Sequence, residues 1–107
     1  MTTSDVVLIL TTAPDDEHAE TLARTLVEER LAACVNLHAP MVSIYRWKNA
    51  VQRDVERQIV IKTTRSRVPA IEARLRVLHS YELPEFLVVP VERGSDDYLG
   101  WIKQMVG

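Results

Sequence analysis

The chain has 107 residues, 47% of them hydrophobic and 26% charged, with a formal net charge of -2. These proportions exclude a disordered or collagen-like polymer and fit one folded domain over residues 1–107, with roughly two-thirds of its unfolded surface hidden. The charge gives no long-range pull on phosphate backbones, and no run approaches the ~18 apolar residues of a membrane span, so neither nucleic acid nor membrane is an expected partner. The opening MTTSDVV has no basic or apolar leader segment, and the single cysteine, Cys34, has no internal disulfide partner. Both features lead us to expect a reducing, cytoplasmic location.

Asp5 to Thr12 is a nearly unbroken run of β-branched residues and leucine, the pattern of a strand central in a sheet. Pro14 and the acidic Asp15, Asp16 and Glu17 then supply a turn and the negative charge that suits a helix N-terminus. Ala19, Leu22, Ala23, Leu26 and Val27 recur at helical spacing, which predicts a helix near Asp16 to Glu29. Cys34, set among small apolar neighbours, is expected to be a buried, inert thiol. Ala33 to Asn49 and Val51 to Thr64 read as two strands joined near Lys48-Asn49-Ala50, with a bend or bulge at Pro40.

Ser66 is the expected cap of a second helix, with Pro69 in its first turn and Val68, Ile71, Leu75 and Leu78 as its buried stripe. A strand, a Thr-Thr exit and an amphipathic helix thus occur twice, which points to a duplicated strand-helix-strand unit. Phe86 to Val91 is the last strand. Gly94-Ser95-Asp96-Asp97 breaks the chain and caps a third helix, with Leu99, Trp101, Ile102 and Met105 as its apolar positions. The order predicts an α+β, ferredoxin-like split βαβ fold (βαββαβ plus a C-terminal helix), an antiparallel sheet with two helices on one face.

A strand of ~14 residues reaches about 46 Å, whereas a helix of ~15 residues covers about 23 Å. The central hairpin therefore outruns its helices while carrying Val42, Ile44, Tyr45, Trp47, Val51 and Val55. Leaving each large side chain uncovered costs on the order of 1.5–3 kcal/mol. The expectation is that neighbouring copies cover this arm and pair its edges in a closed ring.

The segment Leu78-His79-Ser80-Tyr81-Glu82-Leu83-Pro84-Glu85 crowds an imidazole, a phenol and two carboxylates into one proline-stiffened link, and is the strongest functional lead. His79 with Glu82 and Glu85 is a candidate for a weak divalent-ion site; the competing role is structural, with His79 and Tyr81 hydrogen-bonding at a subunit seam. Lys62, Arg65 and Arg67 around Thr63 and Thr64 place cationic and hydroxyl donors near a helix start, which suits a small anionic ligand or a solvated surface. Tyr45, Trp47, Tyr81, Tyr98 and Trp101 are expected at packing contacts rather than stacked on a ligand. His18 and His38 read as incidental. With three glycines and no serine elbow, phosphate loop, HExxH or paired-cysteine signature, the chain is expected to be non-enzymatic.

Four peptides in order, Glu29-Arg30-Leu31-Ala32-Ala33-Cys34-Val35-Asn36, Ser43-Ile44-Tyr45-Arg46-Trp47, Lys62-Thr63-Thr64-Arg65-Ser66-Arg67 and His79-Ser80-Tyr81-Glu82-Leu83-Pro84-Glu85, resemble the CutA divalent-cation-tolerance family. The closing Asp97-Tyr98-Leu99-Gly100-Trp101 is similar too, so the resemblance runs from about Val6 to Met105. It implies a ferredoxin-like subunit, a homotrimer, kinship to the PII signalling proteins and a response to metal ions. It also implies, for some members, copper held by a cysteine before the T-A-P turn and two adjacent histidines. Those positions are Thr11, Leu78 and His79 here, so His79 is the one metal-ligand candidate and a divalent ion such as copper the candidate cofactor. Two functions follow from the resemblance. One is a trimeric module binding a metal ion or small ligand in intersubunit clefts lined by Tyr45, Trp47, Lys62, Thr63, Arg65, His79, Tyr81, Glu82 and Glu85. The other is a trimeric scaffold that docks another protein and has no metal site.

Overall fold

A computed structural model describes residues 4–107. Strand β1 (Val6–Ala13) leads to helix α1 (Asp16–Glu28), then to β2 (Cys34–Trp47) and β3 (Ala50–Thr64), helix α2 (Val68–Leu78), β4 (Leu87–Pro90) and α3 (Asp96–Val106). The sheet has the order β2-β3-β1-β4 and every neighbouring pair is antiparallel. This is the expected split arrangement, with β3 inserted between the two strands that α1 connects.

The helix boundaries follow local chemistry. Asp15 accepts a hydrogen bond from the His18 backbone N–H, and Asp16 and Glu17 occupy the first turn of α1. Ser95 caps α3 in the same way, accepting from the Tyr98 N–H. Ser66 does not cap α2. It sits inside a single 3-10 turn, Arg65–Arg67, where its hydroxyl meets that of Thr64; this turn leads from the end of the interior strand β3 into α2, and Pro69 then falls within the first turn. At the hairpin tip, Lys48 and Asn49 both have positive φ, 49° and 66°, and make a two-residue connection between the paired Trp47 and Ala50.

Along β1 and β3, alternate residues face the helices. Ile9, Ile59, Ile61, Leu26 and Ile71 are fully buried in this layer, and each contributes about 1.5–3 kcal/mol of apolar transfer free energy. Helix α3 packs on β1 and β3 with Ile102 and Val106 inward. Trp101, one of its expected apolar positions, is exposed in the single chain and lies 5.5 Å from the Tyr98 ring. Cys34 is half-buried rather than buried, because it opens the outermost strand, opposite Lys62. Strand β4, expected over Phe86 to Val91, is shorter. It pairs with β1 along one edge, and all four of its residues are exposed.

The arm is as long as the sequence suggests: β2 and β3 hold 14 and 15 residues against 13 and 11 in α1 and α2, and the molecule measures 45 × 29 × 24 Å. The helical cover ends at Arg57. Its guanidinium donates to Asp16 at the start of α1 and to the carbonyls of Leu37 and His38, where β2 shifts register between Leu37 and Pro40. Beyond that clamp, the pairing puts Val42, Ile44, Val51 and Val55 on one face. They are 48%, 69%, 67% and 56% exposed.

Candidate functional site

Helix α2 ends at Leu78, and the link that follows runs beside the free edge of β3, beyond the point where β1 stops at Ala13. Two hydrogen bonds fix its start. The Thr12 carbonyl lies 2.5 Å from His79 Nε2, and the Tyr81 backbone N–H donates to Nδ1 at 3.1 Å. A carbonyl only accepts, so Nε2 carries the proton and Nδ1 offers its lone pair. Both nitrogens of this neutral imidazole are therefore engaged, and the ring packs 4.7 Å from that of Tyr81.

Tyr81 then reaches the arm. Its hydroxyl donates to Glu56 at 3.1 Å, on the face of β3 opposite the exposed valines. Tyr45 makes the matching bond to Asp54, two residues along the same face. Burial, followed by the nearby Glu56 carboxylate, holds the Tyr81 phenol well above the usual range. The hydrogen bond to Asp54 is the largest cause of the upward shift at Tyr45. Further out, Glu82 lies 3.8 Å from Lys48, whose ammonium sits 5.7 Å from the centre of the Trp47 ring. Glu85 accepts at 2.8 Å from Gln58, whose amide also donates to the Thr11 carbonyl. The link and α2 enclose a cavity of about 250 Å³.

Tyr45, Trp47, His79, Tyr81, Glu82 and Glu85 are thus gathered along the arm and the link. Lys62, Thr63 and Arg65 are not among them. Lys62 pairs opposite Leu8, roughly 13 Å of strand from Thr12, and its ammonium donates to the Tyr98 hydroxyl at 3.2 Å. Thr63 is buried and donates to the Leu31 carbonyl at 2.6 Å, and Arg67 holds the Val106 carbonyl. Arg65 is exposed. The sequence reading missed Gln58, Glu56, Asp54 and Arg57. The signal for Asp54, Glu56 and Gln58 was a polar residue repeated every second position on a strand otherwise rich in valine and isoleucine; Arg57, on the other face, had no such signal.

The copper donor set does not fit within one chain. Among the described residues, no three His, Cys, Asp or Glu side chains converge in a way that could hold a metal ion. Thr11, at the position where the resemblance implies a cysteine, is fully buried with its hydroxyl unpartnered. Leu78 packs against the core. A soft ion needs several converging thiolate or imidazole donors, and His79 alone is already bonded on both sides.

An antiparallel sheet with α1 and α2 on one face, an overlong hairpin and a polar link folded against it define a ferredoxin-like fold with a long uncovered arm. The chain belongs to the CutA1 divalent ion tolerance protein family, whose model matches residues 7–105. It is 42% identical over 100 residues to the divalent-cation tolerance protein CutA of Thermus thermophilus, covering 94% of this chain and 97% of that one. It is 45% identical over 94 residues to the mouse protein CutA, covering 88% of this chain and about half, 53%, of the mouse protein. The crystal structure of CutA from Xylella fastidiosa superposes with a TM-score of 0.94 at 45% identity, covering 97% of this chain and 100% of that chain. The Arabidopsis thaliana relative is described as chloroplastic and the Archaeoglobus fulgidus structure as periplasmic.

Proposed function

We propose that the chain works as a non-enzymatic homotrimer in divalent-cation tolerance, with small-ligand clefts at the joins between copies. The observation that carries this reading is the uncovered apolar surface. Val42, Ile44, Val51 and Val55 on the arm, with Leu87, Val88 and Val89 on the edge strand, are all more than a third exposed. A long edge strand and a contiguous apolar face are liabilities that association with identical copies removes. Closing a ring would bring Lys62 and Arg65 of one copy toward Tyr45, Trp47 and the link of the next, which assembles the cleft that one chain leaves divided. Thr63 is excluded from it by burial. Among the described residues, no helix is long and apolar enough to cross a membrane; we place the protein in the cytoplasm on its residue usage.

A second reading, a trimeric scaffold that docks another protein, is favoured by the full engagement of His79. A thermal-shift screen with copper, zinc, cadmium and inorganic phosphate separates the two, because a ligand specific for the folded state raises the melting temperature. The cleft reading expects a concentration-dependent rise that Arg65→Glu or Glu82→Lys diminishes. No rise with any probe, including organic ones, supports the scaffold instead.

A further inference from the structure

The cavity beneath the link has a charge pattern that selects among ligands. Of the carboxylates around it, Glu72 is paired with Arg76 at 3.3 Å and Glu82 with Lys48 at 3.8 Å, both at exposed rims where solvent screens them. Glu85 differs. It is half-buried, and its hydrogen bond comes from the Gln58 amide, which carries no charge. An anion entering this cavity would find Arg76 at the rim, already turned to Glu72, as its one cationic donor, while both His79 nitrogens and the Tyr81 hydroxyl are committed. A bare divalent ion would find three carboxylates that do not converge, where it needs several oxygen donors together. The remaining walls are apolar or aromatic, including Leu75, Leu83 and Phe86.

We propose that this cavity binds a small organic cation, an alkylammonium whose charged head meets Glu85 and whose hydrocarbon body lies against Leu75, Leu83 and Phe86. The pairing of a half-buried carboxylate that has no cationic partner with an apolar wall is what an amphipathic monocation requires. At about 250 Å³ the space suits a short-chain amine rather than a larger metabolite. The proposal rests on the reading of the link as a wall of a ligand cleft, and deepens it by naming the ligand class.

Calorimetric titration of the intact protein with n-butylammonium, n-butyrate and 1-butanol tests it, since the three probes share a body and differ in head charge. Butylammonium should bind most tightly. Glu85→Gln should weaken it about tenfold, the loss of one charge-assisted contact, and Phe86→Ala should weaken butylammonium while leaving the fold's far-ultraviolet circular dichroism intact. Equal or tighter binding of butyrate overturns the cation assignment but keeps the cleft. Undiminished amine binding in both variants overturns the site. If no organic probe binds and the metal and phosphate screen is also silent, the cleft reading falls with it.

Discussion

The two halves of β3 turn alternate side chains to the same face and meet opposite fates. From Ile59 to Thr63, alternate side chains lie under α1 and α2 and are fully buried; from Val51 to Val55, the same alternation continues on the same face with nothing above it. Both halves carry β-branched residues on that face, although Arg53 interrupts the arm where Ile61 continues the base. The main difference is cover, and Arg57 marks the border by joining the start of α1 to the bulge in β2. The base of the sheet is stabilised within the chain, whereas the arm leaves its apolar side chains uncovered there.

If that contrast holds, truncation on either side of the border should fail differently. Ile61→Ala in the base should cost about 2–5 kcal/mol in chemical denaturation, by lost transfer energy and a cavity that α1 and α2 close incompletely. The double change Ile44→Ser with Val55→Ser in the arm should instead leave the circular dichroism spectrum unchanged and release monomers in sedimentation velocity. Equal losses of secondary structure in both variants would erase the distinction.

The border itself can be probed. Arg57→Met removes the bonds to the Leu37 and His38 carbonyls and to the exposed Asp16 carboxylate, and should cost about 1 kcal/mol in urea denaturation, with faster amide exchange confined to the bulge. Thr11→Val acts in the opposite direction on the base. It replaces a buried, unpartnered hydroxyl with a methyl group and should stabilise by about 1 kcal/mol, read as a raised denaturation midpoint.

The smallest effect concerns the polar face of the arm. Tyr81 and Tyr45 are held neutral by burial and by their carboxylate partners, so their folded pKa values lie above the unfolded ones. The stability this supplies is full below the ordinary phenol value of about 10 and is lost as pH rises through the folded values. Alkaline titration followed by phenolate absorbance should show Tyr81→Phe removing the last component to ionise.

Much of this was legible from residues alone. The β-branched run before Pro14, the acidic cap of α1, the Lys48-Asn49 turn and the excess of arm over helix all have local signatures, and each lies where expected. Ser66 misled because a serine before a proline reads as a cap whether or not a 3-10 turn intervenes. The division of the candidate site was not legible: Lys62 and His79 flank the same sheet, and only strand register shows that they lie at opposite ends of β1. The engagement of both His79 nitrogens depends on the Thr12 carbonyl, which no side-chain pattern announces.

The arm's dependence on neighbours is tested most directly by native mass spectrometry of the unmodified chain at micromolar concentration. A single species of three copies, persisting on dilution, is the expected result. A monomer with its hairpin protected from proteolysis would contradict it, because the exposed valines would then need no partner.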